Sequence, residues 1–464
     1  MVDMGNRLVG TVAVTFALAP GVACHRAPQV DNSQHAPAIQ RIVTSSPSWI
    51  DRDKLGSTLW KAERWFYQSR NHVPAWIDRD KASPRLDRLI DALKHAEDHG
   101  LDPARYGTSN FQKIVDAANA NKGRYELAKI PEFDTRLTYA YLRYAADLLG
   151  WSGDPRAIYA TWVPAANKTD LAAQLAKAMS SNQVGGTLQE LAPTHTQYKG
   201  LQTALQHERQ NPTGHLDQIR MNLERWRWMP RELGDRYVFV NVPAYQMQLV
   251  EGDKPALAMR VIVGDPKHPT PLFNDDMTTV VFSPNWNVPE SIIRKEMLPR
   301  LVNDPGYLER QDIQVVGTSG DVVDAEGVDW GDEAAVARLH FRQEPGPKNA
   351  LGLVKFVFPN PFDVYMHDTP TDSLFNKPQR ALSHGCIRLE DPVALAKYVL
   401  RDRPEWTPEK ISAAMDAGHE QGVPLKEHIP VHIGYFTAWV NSDASVMYTD
   451  DPYDIDAKQK MHPL

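Results

Sequence analysis

The sequence predicts a multidomain α+β protein in which an α-helical domain is followed by a mainly β domain. Two patterns carry this reading. Apolar residues recur at helical spacing through the first half, and they alternate in short runs from about residue 226 onward. A chain of 464 residues with 42% apolar content can bury more than one core.

At the amino end, Arg7 precedes an apolar run over residues 8–23, the length of a secretory core segment and short for a membrane span. Gly21, Val22 and Ala23 place small residues before Cys24, so residues 1–23 read as a signal peptide. Two cleavage routes fit: an ordinary signal peptidase, or a lipoprotein peptidase that leaves Cys24 acylated and tethers the protein to a membrane. Residues 24–48 are rich in Pro, Gln, Ser and Asn without periodicity and read as a flexible tether.

Residues 49–225 read as helices. In "SPRLDRLIDALKHAEDHGLDP", Leu86, Leu89, Ile90 and Leu93 share one helix face, Ser83-Pro84 fits a helix start and Gly100 a stop. Trp60, Trp65, Trp76, Trp151 and Trp162 are spread through these helices and are expected to anchor the core rather than to form a sugar-stacking platform.

Residues 226–450 read as the β domain. Tyr245, Met247 and Leu249 alternate with glutamines, a turn follows at Gly252, and Leu257, Met259, Val261 and Val263 alternate again, which predicts a hairpin. Further strands are expected at residues 278–282, 354–358, 363–367 and 431–435. Residues 301–352, rich in Gly, Asp and Glu, form a long insertion without clear periodicity, and a stretch that long inside a domain is functional or disordered. Residues 451–464 are left as a C-terminal tail.

Charge narrows the function. The 51 basic and 58 acidic side chains sum to −7, which offers no overall attraction to a nucleic-acid backbone. With Cys24 at the cleavage site, Cys386 is the only thiol of the folded body, and an exported protein that keeps one unpaired thiol needs a reason. Its neighbours Ser383, His384 and Arg388 are poor company for a buried inert cysteine.

A thiol attacks a carbonyl as thiolate, so a partner must lower its pKa or take its proton. His384 is too close along an extended backbone to reach the sulfur easily. His367, at the end of an expected strand, can face Cys386 across a sheet edge and is assigned as the base. Gly385 permits close backbone approach, and main-chain N–H groups near Cys386 can stabilise an oxyanion. Asp391 and Pro392 are expected to start the helix that follows. Zinc held by His367, His384 and Cys386 is the metal alternative, but the sequence has no CxxC or HExxH, so neither metal nor cofactor is expected.

"NALGLVKFVFPNPFDVYMHDTP" followed by "RALSHGCIRLEDP" resembles the catalytic core of the L,D-transpeptidases, the YkuD-type fold, in its larger periplasmic branch with a helical scaffold domain. "NLERWRWMP", "FSPNWNVPESI" and "RQEPGPKNALG" resemble the same branch, so the resemblance spans roughly residues 50–450. It implies a cysteine acyltransferase acting on peptidoglycan stem peptides, with Cys386 as nucleophile, His367 as base and the Asp368 carbonyl orienting the imidazole. Tyr365, Ser383, His384, Gly385 and Arg388 would line the site, with Asn in many relatives where this chain has Arg388. The insertion at 301–352 corresponds to a substrate cap. The branch's peptidoglycan-binding module is missing between the two domains.

The reading is therefore a periplasmic, monomeric transpeptidase. It would take a tetrapeptide donor, release D-Ala, and join two third residues in a 3–3 cross-link. The alternatives are an L,D-carboxypeptidase, a transpeptidase that attaches a lipoprotein, and a non-catalytic wall-binding protein of the same fold.

Overall fold

The computed structural model describes residues 32–461 apart from 46, 253 and 305. The expected signal peptide and Cys24 lie outside the described residues.

The first helix revises the expected tether. Ala36–Thr44 is helical, and Ile39 and Val43, four residues apart on one face, are fully buried. Pro37 sits in the first turn, where a missing N–H is harmless, so a composition that suggested coil is compatible with a helix. The helical domain gathers around Ile130–Leu148, which is buried along almost its whole length. Asp134 on that helix accepts the main-chain N–H groups of Ala75, Trp76 and Ile77 and the Tyr67 hydroxyl, fixing the segment before the helix Pro84–Lys94. Ser83 stands at that helix's N-cap without a capping bond, and Gly100, at φ +75°, ends the short 3₁₀ turn His95–His99 that follows. Trp76 and Trp162 are core residues as expected, whereas Trp65 is 52% exposed.

The β domain is built on nine strands: β1 (Arg236–Asn241), β2 (Gln246–Glu251), β3 (Lys254–Gly264), β4 (Asn274–Phe282), β5 (Val354–Val357), β6 (Met366–His367), β7 (Ala381–Ser383), β8 (Ile387–Leu389) and β9 (Gln421–Gly434). Their order is β7-β3-β8-β6-β5-β4-β9-β1-β2, and the sheet closes on itself because β2 also pairs with β3. The expected hairpin is β2–β3, with Met247 opposite Met259 and Leu249 opposite Leu257. Closure gives the inward side chains of every strand one core, among them Val240, Val261, Phe282, Phe356, Met366 and Ile387.

Two boundaries differ from a reading by composition. The helix Leu216–Trp228 crosses the expected boundary at residues 225/226, and its Arg225, fully buried, is held by Asp456 at 2.6 Å and Gln459 at 2.9 Å from the C-terminal helix Ile455–Met461. The C-terminal segment is therefore packed structure rather than a loose tail. The insertion likewise begins before residue 301 and has a core of its own. Trp286–Asn287, Ile313–Val316, Val322–Val323 and His340–Gln343 form a separate four-stranded sheet, over which Met297, Leu301, Leu308, Val315 and Phe341 are buried. Strands of two to four residues are too short to show a period, which is why this unit reads as irregular sequence.

Candidate active site

The site grows from the parallel pair β6–β8, in which Met366 lies beside Ile387 and His367 beside Arg388. Side chains alternate along a strand, so with Met366, Ile387 and Leu389 in the barrel core, Tyr365, His367, Cys386 and Arg388 share the other face. The Ile387 N–H donates to the Tyr365 carbonyl at 3.1 Å, which sets Tyr365 against Cys386.

His367 is buried, and its Nδ1–H donates to the Asp368 carbonyl at 2.5 Å. The carbonyl can only accept, so the neutral ring carries its proton on Nδ1 and keeps Nε2 as the basic nitrogen. Burial, with the Arg388 charge beside it, presses the imidazole down to about 3, while main-chain hydrogen bonds to Asp368 and Leu351 pull the other way. The Asp368 carboxylate accepts from the N–H groups of Leu353 at 2.8 Å and Thr369 at 2.7 Å. It lies so close to Gly352, at φ +62°, that a Cβ there would fall on the carboxylate. Only glycine lets the two segments meet.

Cys386 is half-buried, and its Sγ lies 3.9 Å from the Asp363 carbonyl. Burial pushes the thiol up to about 11, against hydrogen bonding from Tyr365 and the Arg388 charge. Among the described residues no hydrogen bond joins Sγ to the His367 ring, so the resting pair is a thiol and a neutral imidazole. To ionise, such a thiol needs a base that takes its proton.

The loop that carries Cys386 is pinned from inside. Buried Ser383 donates its hydroxyl to the Cys386 carbonyl at 2.5 Å and accepts the Gly385 N–H at 3.2 Å. Gly385 adopts φ +113°, a conformation that strains any side-chain-bearing residue. Among the described residues no acceptor meets the Cys386 N–H, which leaves it free to donate to an oxyanion.

His384 finds its partners outside the strand pair. It is exposed, stacks on His268 with ring centroids 4.5 Å apart, and is hydrogen-bonded to Glu296 of the insertion. His268 is in turn paired with Asp265 at 3.3 Å. Arg388 is partly buried with its Nε unpartnered, and Lys355, opposite His367 in register, reaches Glu420 at 3.6 Å. The structure thus gathers Tyr365, His367, Cys386 and Arg388 on one face and pairs His384 with the insertion. Among the described residues no group of three or more His, Cys, Asp or Glu side chains is arranged to hold a metal. Glu296, His268 and Lys355 are additions to the sequence reading; they lie in other segments, and nothing in their local pattern marks them.

This architecture, a closed sheet presenting a thiol beside a buried imidazole behind a helical domain, is matched by known families. Residues 235–412 match the YkuD L,D-transpeptidase catalytic domain and residues 61–205 match the scaffold domain. The chain carries an L,D-transpeptidase catalytic domain of the YkuD type preceded by a scaffold domain.

A Haemophilus influenzae protein named "Putative L,D-transpeptidase" is 32% identical over 238 residues, 51% of this chain. This chain spans about half of that relative's length, 48%. Among solved structures, an L,D-transpeptidase from Mycobacterium smegmatis matches at 12% identity over 43% of this chain and 58% of its own, with a TM-score of 0.19. L,D-transpeptidase 3 from Mycobacterium tuberculosis, in complex with a faropenem-derived adduct, matches at 14% identity over 43% and 60%, with a TM-score of 0.19.

Proposed function

We propose that the protein is a peptidoglycan L,D-transpeptidase of the periplasm that forms 3–3 cross-links through a thioester on Cys386. The observation that carries this reading is the arrangement of the nucleophile loop: a half-buried Sγ on the same sheet face as a base whose tautomer is fixed, next to a main-chain N–H that no acceptor among the described residues meets.

Nε2 of His367 takes the thiol proton as Sγ attacks the carbonyl joining the third residue, diaminopimelate, to the terminal D-Ala of a tetrapeptide. The carbonyl oxygen gains negative charge and accepts from the Cys386 N–H. Collapse expels the D-Ala amine, which receives the proton from His367. The third-residue amine of a second stem peptide then attacks the thioester, His367 takes its proton, and the returning thiolate recovers it. Proton transfer from a raised thiol to a depressed imidazole is uphill in the resting site, so it is coupled to carbonyl attack rather than completed before it.

The test is incubation of the purified protein with disaccharide-tetrapeptides and weighing of the products. A dimer lighter than two donors by one D-Ala is expected, and tripeptide alone would make the protein a carboxypeptidase. Cys386→Ala should abolish turnover at a nearly unchanged melting temperature, because a single, partly buried sulfur leaves little packed volume behind when removed. A carbapenem should add one acyl group to Cys386, read by intact mass; an active enzyme that stays unmodified contradicts the thioester route.

A further inference from the structure

The Gly385 carbonyl and the Cys386 N–H belong to one peptide plane and, in a trans peptide, point in opposite directions. Whatever holds the carbonyl inward therefore aims the N–H outward. The holder is Thr270, whose hydroxyl donates to the Gly385 carbonyl at 2.8 Å and accepts the Gly264 N–H at 2.8 Å.

Thr270 has no solvent exposure and every polar atom engaged. Its N–H donates to the Tyr453 hydroxyl at 3.2 Å, and that hydroxyl donates to the Gly264 carbonyl at 2.6 Å. Its carbonyl accepts the hydroxyl of Tyr159 at 2.9 Å. Tyr159 precedes a short splice in which Val163 N–H reaches the Leu272 carbonyl and Leu272 N–H the Thr161 carbonyl. The two tyrosine rings stack with centroids 6.2 Å apart. Tyr159 belongs to the matched scaffold region, and Tyr453 to the C-terminal segment.

We infer that Thr270, braced by Tyr159 of the scaffold, is a positioning residue that aims the Cys386 N–H at the oxyanion, so that the scaffold domain is a working part of the acyl-transfer site. The inference rests on the acyl-transfer reading given above. It assigns the scaffold a role beyond support: loosening the Tyr159 contact weakens the oxyanion donor although no scaffold atom touches substrate.

Two reactions of the same sulfur separate aim from general integrity. Imipenem acylation forms the Sγ–C bond, sends the carbonyl π pair to oxygen, and breaks the lactam C–N bond, whose nitrogen receives the proton lost by the thiol. It passes through the oxyanion. Iodoacetamide alkylation forms Sγ–CH2 and expels iodide, with the thiol proton going to buffer. It does not.

Thr270→Val keeps the shape and removes the hydroxyl. It should slow acylation on the order of 10- to 100-fold, below the loss of an entire oxyanion donor, while alkylation stays near wild type. Thr270→Ser, which keeps the hydroxyl, should restore acylation. Tyr159→Phe, a milder change that serves even where Thr270→Val fails to fold, should slow acylation about fivefold, the worth of one hydrogen bond, again at unchanged alkylation. Equal loss of both rates in Tyr159→Phe and in folded Thr270→Val, or loss of neither, overturns the inference. If the wild type is alkylated at Cys386 yet never acylated, the acyl-transfer reading itself fails and takes the positioning role with it.

Discussion

A cysteine held as a thiol and a histidine held neutral make a distinct prediction about how the nucleophile responds to pH. Burial is the leading cause of both shifts, upward to about 11 for Cys386 and downward to about 3 for His367. Alkylation follows the thiolate fraction, so the rate of iodoacetamide modification should climb close to tenfold per pH unit from 7 to 9, without a plateau. A standing thiolate–imidazolium pair would instead react at a constant rate across that range, and such a plateau would refute the neutral resting pair. Cys386 and His367 could be singled out in the sequence because few other residue types perform this chemistry and a lone thiol close to histidines is conspicuous there. Thr270 was not legible: a threonine in "KHPTPLF" has no local mark, and its role exists only once the chain brings residues 159, 385 and 453 together.

Strands long enough to alternate, such as β2 and β3, could be read directly, while β6 keeps only two residues of the strand expected at 363–367 and β7, of three residues, has no strand pattern of its own. The cap shows the same limit and also a consequence. Its core of Met297, Leu301, Leu308, Val315 and Phe341 is separate from the barrel core, and through Glu296 it touches His384, the second residue before the nucleophile. So small a core has little stability to lose. Phe341→Ala, a truncation that costs roughly 3–5 kcal/mol in a well-packed site, should unfold the cap alone and leave the main melting transition in place. An open cap admits water to the thioester, so the ratio of cross-linked dimer to released tripeptide should fall. An unchanged ratio, with the cap shown unfolded by hydrogen exchange, would mean that the cap does not guard the acyl-enzyme.

At the scale of the molecule, the helical and β domains are welded rather than tethered. The Trp226 ring packs at a tilt against Phe436 with centroids 4.6 Å apart, and Phe436, Ala438 and Trp439, which follow the last barrel strand, are buried in the core of the helical domain. Beside them Arg225 has no exposure and gives its guanidinium to Asp456, Gln459 and the Tyr435 carbonyl, so one cation joins the linking helix, the residue after the barrel's last strand and the C-terminal helix. A charge buried this fully is tolerable only while its partner remains. Asp456→Ala removes the carboxylate that neutralises Arg225 and leaves it only neutral partners, Gln459, Thr437 and the Tyr435 carbonyl, which should cost roughly 3–5 kcal/mol, the usual penalty for halving a buried pair. Because both domains share the junction, the loss should appear as a lower midpoint of one unfolding transition seen alike by far-ultraviolet circular dichroism, dominated by the helices, and by tryptophan fluorescence. Two transitions, with only one displaced, would show that the domains unfold independently and that the scaffold's hold on the nucleophile loop can be released without unfolding the barrel.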